Sequence, residues 1–256
     1  MTERTKLTFL GTGTSQGVPM IGCGCDVCRS SDPRDKRLRS SVLVEHEGRT
    51  FLVDAGPDFR QQMLRAEVSH VDAILLTHNH KDHTGGLDDI RAFNYLENKA
   101  SQIYCEKYVE DALRMEYSYA FAEKKYPGAP EWDVHIIDEN PFSINGVEII
   151  PIRGMHYKLP VLGYRFGNIA YCTDMNHIPE EEFAKLQGLD HFVINCVKYG
   201  KHISHYSLEE AVAVAQRVGA KHSWLTHLSH RLPCYEALAA ELPAGILPAY
   251  DGLVLE

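Results

Sequence analysis

Thr77-His78-Asn79-His80-Lys81-Asp82-His83-Thr84-Gly85-Gly86 is the stretch on which the reading of this chain turns. Three imidazoles and a carboxylate fall within six residues, at the end of the apolar run Asp72–Thr77, which reads as a strand. Neutral imidazoles and carboxylates are the ligands of zinc, manganese and iron. A tight turn after a strand can aim alternate side chains at two neighbouring points. Gly85 and Gly86 then let the backbone pass closely into a helix. A polar loop with chance histidines does not account for this density, because similar residues recur at other strand ends. His156 follows Pro151–Met155, Asp174 follows Ile169–Thr173 and His227 follows Ser223–Thr226. Loops leaving a sheet edge are where rigid scaffolds place chemistry.

Outward from that loop, short β-rich runs alternate with helical segments. Lys6–Leu10 reads as a strand ending in Gly11-Thr12-Gly13, and Ser41–Glu45 with Arg49–Asp54 as a hairpin turned at Glu47-Gly48. Asp58–Arg65 reads as a helix. Lys107–Lys124 has helical periodicity until Pro127-Gly128-Ala129-Pro130 breaks it. Its aromatic residues, with Tyr126 and Trp132, read as core packing. Strands are expected at Val134–Ile137, Val147–Pro151, Leu162–Phe166, Asn168–Thr173, His191–Asn195 and His222–Thr226. Helices are expected at Glu180–Leu186 and near Cys234–Glu241, and Ser207-Leu208-Glu209-Glu210 fits a capping box opening a helix to about Val218. No linker or repeat divides the chain, so residues 1–256 read as one α/β domain with mixed sheets.

Composition narrows the function. The net charge is −9 with histidine neutral, which disfavours a large nucleic acid as partner, since phosphate binding leans on lysine and arginine. A small phosphate ester remains compatible, because bound cations reverse the local field. Met1–Leu10 holds no apolar run of signal-peptide length, and no stretch approaches a membrane span. The cytoplasm is therefore the expected location. Of seven cysteines, three crowd into Gly22-Cys23-Gly24-Cys25-Asp26-Val27-Cys28, a loop at about 22–29. In a reducing compartment that spacing points to a structural zinc rather than to disulfides. Such sites prefer four closed ligands, and His230, three residues beyond His227, is the best candidate for the fourth.

The T-H-x-H-x-D-H-x-G-G pattern, with Asp54-Ala55-Gly56 before it and His156, Asp174 and His227 after it, resembles the signature of the metallo-β-lactamase superfamily. The resemblance covers nearly the whole chain. It implies a four-layer αβ/βα sandwich of two mixed β-sheets flanked by helices, with paired metals at one edge. By that resemblance His78, His80 and His156 hold one metal, Asp82, His83 and His227 the other, and Asp174 bridges them. Asp54 supports the metal loop from behind.

The opening Leu10-Gly11-Thr12-Gly13-Thr14-Ser15-Gln16-Gly17-Val18-Pro19, followed by C-x-C-x-x-C, is similar to the branch containing the cyclic-phosphate phosphodiesterase of the carbon–phosphorus lyase pathway. Gly163-Tyr164 and Tyr250-Asp251-Gly252 also resemble it. That branch implies two catalytic divalent metals (manganese or zinc), one structural zinc and a homodimer. It further implies a histidine acting at the substrate just before the capped helix. His205 aligns best with that position, and His202 is the fallback. The reading is a metal-dependent phosphodiesterase of small phosphate esters, cyclic ribose phosphates among them, using Asp82 and His205 in catalysis. Two alternatives stand beside it: a tRNA 3′-processing endonuclease-like hydrolase, and a non-hydrolytic metalloprotein like the pyrroloquinoline quinone biosynthesis B protein, which shares the cysteine-loop idea.

Overall fold

In a computed structural model of the chain, residues 5–256 are described. They form two seven-stranded mixed sheets. The first is built from β1 (Lys6–Gly11), β2 (Ser41–His46), β3 (Arg49–Val53), β4 (Ala73–Leu75), β5 (Ser101–Cys105), β6 (Trp132–Ile136) and the late β14 (Val254–Leu255). The second contains β7 (Phe142–Ile144), β8 (Val147–His156), β9 (Leu159–Phe166), β10 (Ile169–Cys172), β11 (His191–Asn195), β12 (His222–Thr226) and β13 (Ile246–Pro248). Their orders are β14-β1-β2-β3-β4-β5-β6 and β13-β12-β11-β10-β9-β8-β7. In each sheet one half pairs antiparallel, and the other half (β3 to β6, β10 to β13) runs parallel.

The period-two alternation of strand side chains builds the layers. Phe51, Val53 and Leu75 point toward Tyr164, Tyr171 and Val193 of the other sheet in the central core. The intervening Leu52 and Ile74 point outward and pack under α2 (Phe59–Arg65), α4 (Arg91–Glu97) and α5 (Lys107–Glu116) through Phe59, Phe93 and Leu113. On the opposite outer face Ala170, Phe192 and Ile194 pack under α6 (Leu208–Val218) and α7 (Tyr235–Glu241). Both faces of the central strands are therefore buried, which explains their continuous apolar runs. The result is the αβ/βα sandwich that the sequence resemblance implied.

Three local expectations need correction. The helix expected over Lys107–Lys124 stops at Glu116, and a 3₁₀ turn follows at Ser118–Ala120. It stops there because Tyr117 turns inward, 8% exposed, to donate its hydroxyl to the Thr84 carbonyl at 2.8 Å. Glu180–Leu186 is a 3₁₀ helix rather than an α-helix. β5, β7, β13 and β14 were not expected. The capping box is present: the Glu210 N–H donates to Ser207 Oγ, and the Ser207 N–H donates to the Glu210 carboxylate. Among the described residues no helix is long and apolar enough to cross a membrane.

Candidate metal centre

Four strands of the parallel halves, and the tip of β8, deliver polar side chains to one edge of the sandwich. The carboxyl ends of parallel strands are the usual place for a ligand crevice. Asp54 follows β3, His78 follows β4, His156 ends β8, Asp174 follows β10 and His227 follows β12. Asp54, Tyr157, Asp174 and His227 all have positive φ (64°, 60°, 57° and 55°). Left-handed backbone is rare for residues other than glycine, and its clustering at one edge marks a functional site.

The metal loop is seated by close backbone approach. The short helix α3 (Lys81–Thr84) sits against the turn after β3, with the Ala55 N–H donating to the His83 carbonyl and the Gly86 N–H to the Ala55 carbonyl, both 2.8 Å. A Cβ at Gly56 would lie 2.0 Å from the Asp82 carbonyl oxygen, and one at Gly86 would lie 2.1 Å from that of Gly56. Side chains at these two positions would force the loop off its seat.

Two polar clusters share Asp174. In one, His83 Nε2 lies 3.2 Å from Asp174 Oδ2 and 3.3 Å from Asp82 Oδ2. His227 Nε2 lies 3.1 Å from Asp174 Oδ1 and 3.6 Å from Asp82 Oδ2. In the other, His156, Asp174 and His205 converge, with His205 Nδ1 3.8 Å from Asp174 Oδ1. The rings of His78 and His80 complete that side: their centroids are 4.6 Å apart, and those of His80 and His156 are 5.0 Å apart. His205 is thus inside the cluster, its ring 4.5 Å from His156 and 4.7 Å from His227. His202 stands one ring further out, 5.1 Å from His205.

The donor set fits divalent metals. His78 Nε2, His83 Nε2, His156 Nδ1, His205 Nδ1 and both His227 nitrogens are buried without a hydrogen-bond partner. Buried polar atoms normally find partners, and so many in one place mark a cation-binding pocket. Burial, reinforced by His83, holds His78 well below the ordinary imidazole range. Burial opposes charge on Asp174 too, but His227 and His83 outweigh it and keep the carboxylate ionised. The orientation of His83 is set from behind: its Nδ1 lies 2.6 Å from Asp54 Oδ2, and Asp54 also accepts from the Thr77 N–H and hydroxyl, each at 2.9 Å. A carboxylate on Nδ1 leaves the Nε2 lone pair facing the centre.

A third cluster joins Cys23, Cys25, Cys28 and His230, whose candidate ligand atoms all lie within 4.8 Å of one another. The Cys23 and Cys25 sulfurs are 3.3 and 3.5 Å from His230 Nδ1. Three thiols and an imidazole are a donor set of the kind that structural zinc takes. The segment from His227 to His230 therefore contributes one imidazole to each region. It is pinned by the Leu228 N–H, which donates to the Thr12 carbonyl at 2.8 Å.

Sequence reasoning missed several supports. Asn195 at the end of β11 clamps the Asp174 loop, accepting from the Met175 N–H and donating to the Met175 carbonyl (2.7 and 2.9 Å). Asp251, read from the sequence only within the Tyr250-Asp251-Gly252 resemblance, accepts from the Thr12 N–H and hydroxyl, and buried Arg37 donates to the same hydroxyl. Asn176 ties down two loops beside the site. Its place two residues after Asp174 was the signal available. The remaining cysteines, Cys105, Cys172, Cys196 and Cys234, stay outside all three clusters.

Fold and site together define a protein of the metallo-β-lactamase fold with a cluster of metal-type ligands at one edge of its sandwich. The family model described as the β-lactamase superfamily domain matches residues 49–228, and the chain belongs to that superfamily. Within it the chain resembles a diphosphatase from the PhnP family, whose crystal structure superposes with a TM-score of 0.93 at 40% identity, covering 100% of this chain and 98% of that one. Zn²⁺-bound PqqB from Methylobacterium extorquens superposes with a TM-score of 0.80, at 19% identity, over 98% of this chain and 99% of its own. At that identity the likeness concerns the fold. An octanoyltransferase of Porphyromonas gingivalis (strain ATCC BAA-308 / W83) is 42% identical over 251 residues, 97% of this chain but 51% of that protein. The chain spans about half the length of the first curated relatives it matches.

Proposed function

We propose that the chain hydrolyses small phosphate diesters, cyclic ribose phosphates among them, at a dinuclear centre held by His78, His80, Asp82, His83, His156, Asp174 and His227. The observation that carries this reading is the shared carboxylate. Asp174 Oδ1 lies 3.1 Å from His227 Nε2 and 3.8 Å from His205 Nδ1, and Oδ2 lies 3.2 Å from His83 Nε2, so the one carboxylate belongs both to the group with Asp82, His83 and His227 and to the group with His156 and His205. Two divalent ions held there, manganese or zinc, would supply Lewis-acid charge and would lower the pKa of water. Asp82 and Asp174 are the anionic ligands, and Asp54 fixes the tautomer of His83. His205, kept neutral by burial beside His227 with its pKa lowered to about 3, offers an N–H to the leaving oxygen. The cysteine cluster holds a zinc that braces the loop carrying His227.

The name diphosphatase, on the PhnP-family neighbour, supports reaction at phosphorus. The net charge of −9 and an open groove of about 510 Å³ beside His80 and His156 favour a small ester over a long polyanion. The octanoyltransferase name belongs to a protein twice the length of the matched stretch. An acyl-accepting thiol would need a lowered pKa, whereas burial pushes Cys105 up to about 12 and raises Cys172 and Cys196 further. Cys25, lowered to about 6 by the Cys28 backbone and His230, sits in the Cys3His group assigned to zinc. A substrate panel tests the proposal. The metal-loaded protein should turn over bis(p-nitrophenyl) phosphate at least ~100-fold faster than p-nitrophenyl phosphate or a phenyl thioester. A thioester preference, or no turnover of the diester, would defeat it.

A further inference from the structure

The wall of the groove beside the metal cluster holds residues that hydrolysis itself does not call on. Strands β8 and β9 are joined by Tyr157 and Lys158 alone, because His156 pairs directly with Leu159. In a two-residue hairpin with positive φ at its first position, that position favours glycine. Here it holds Tyr157, at φ 60° and 52% exposed. A bulky residue in that conformation is strained, so the turn itself gains nothing from it. Ile203, 66% exposed, lines the same groove with Tyr157, His80, His156, Lys158 and Ser204.

Both apolar walls are set by one side chain. Asn176 Oδ1 accepts from the Tyr157 N–H at 2.9 Å, and Asn176 Nδ2 donates to the Ile203 carbonyl at 3.1 Å. Its own N–H donates to the Met155 carbonyl at 2.8 Å, two residues along the chain from Asp174. The walls are therefore registered on the carboxylate that joins the two clusters. Lys158 Nζ lies 5.4 Å from the centre of the Tyr157 ring, which places a positive charge beside an exposed aromatic face.

The geometry points to a nucleobase subsite: Tyr157 and Ile203 cover the two faces of a base, and Lys158 pairs with a phosphate oxygen that is not at the cleaved bond. The substrate class is then a nucleoside phosphate diester. The inference rests on the hydrolytic reading only for where the cleaved phosphorus sits. A sugar phosphate without a base would leave the Ile203 wall uncovered. A groove of about 510 Å³ is large enough for a nucleotide, since small-ligand sites run from about 300 to 1,000 Å³.

Calorimetric titration of the metal-loaded protein with adenosine 5′-monophosphate and with ribose 5-phosphate separates the base from the rest. Stacking on an aromatic side chain predicts that the nucleotide binds at least roughly fivefold tighter. Tyr157→Gly removes the ring and relieves the backbone strain, so it should keep or raise the melting temperature while the affinity ratio collapses toward one. Lys158→Ala should weaken both ligands by the same factor. Equal affinities in the parent protein, or a base preference that survives Tyr157→Gly, would overturn the subsite. A kinetic arm compares thymidine 5′-p-nitrophenyl phosphate with methyl p-nitrophenyl phosphate. A kcat/KM advantage for the nucleoside ester that Tyr157→Gly erases supports the subsite. If neither ester is cleaved but the binding preference holds, the hydrolytic reading fails and the subsite stands.

Discussion

Replacing Asp54 by asparagine changes one atom type and leaves the shape of a side chain that is wholly buried. Asparagine also tolerates the φ of 64° found there. What changes is the hydrogen-bond balance. The carboxylate accepts from the Thr77 N–H, the Thr77 hydroxyl and His83 Nδ1. An amide has one acceptor oxygen, so whichever way it is turned its NH₂ meets either the Thr77 N–H or His83 Nδ1. If it donates to His83, the imidazole proton moves to Nε2 and the metal-facing lone pair is lost. If it faces Thr77, a backbone N–H is left buried and opposed. Loss of a charge-assisted hydrogen bond in such a place costs about 1.5–3 kcal/mol. That corresponds to roughly a ten- to hundredfold weaker metal, the range typical for the carboxylate behind a histidine ligand. Competition against a chromophoric chelator would measure it, with circular dichroism confirming the fold. Metal affinity of Asp54→Asn within twofold of the parent would refute the argument that Asp54 sets the tautomer of His83.

Other perturbations separate the roles of neighbouring residues. His205→Ala should lower diester turnover by about 10²–10⁴ while metal content, measured by plasma mass spectrometry, stays intact; parallel loss of metal would make His205 a ligand. Cys25→Ser should remove one zinc per chain and lower the melting temperature, and an unchanged zinc count would exclude the Cys3His assignment. Tyr117→Phe strands the buried Thr84 carbonyl behind the metal loop, at a cost of about 1–3 kcal/mol. For a chain of this size that is a fall of roughly 2–10 °C on thermal melting, and a melting curve that does not move would show the hydroxyl to be dispensable.

Much of the fold was legible because its strands announce themselves. Phe51-Leu52-Val53 and Phe192-Val193-Ile194 are apolar on both faces, as strands buried between two layers must be. The metal loop was legible because its density of imidazoles has no other physical use, and His230 because it lies so near His227 in sequence. The ladder strands β5, β7, β13 and β14 were missed for a common reason. Ser101–Cys105 mixes polar and apolar residues without a clear period, while the others are only two or three residues long and exist because a neighbouring strand pairs with them. The Lys107–Lys124 helix was overextended because periodicity alone does not reveal that Tyr117 is wanted under the metal loop. Asp251 was seen only as part of a resemblance, since its partners Thr12 and Leu38 lie more than two hundred residues away. Tyr157 and Lys158 went unread because nothing in an isolated sequence shows that the residues after a ligand turn back over the site.

The most direct test of the central claim follows bound metal and turnover in one titration. The protein is stripped of metal, and manganese is added back in steps while bound ion and bis(p-nitrophenyl) phosphate hydrolysis are read together. The shared Asp174 carboxylate predicts that hydrolysis stays low while the first catalytic ion binds and rises as the second fills. Full turnover in the stripped protein, or full metal occupancy of both sites with no hydrolysis of the diester, would contradict the account.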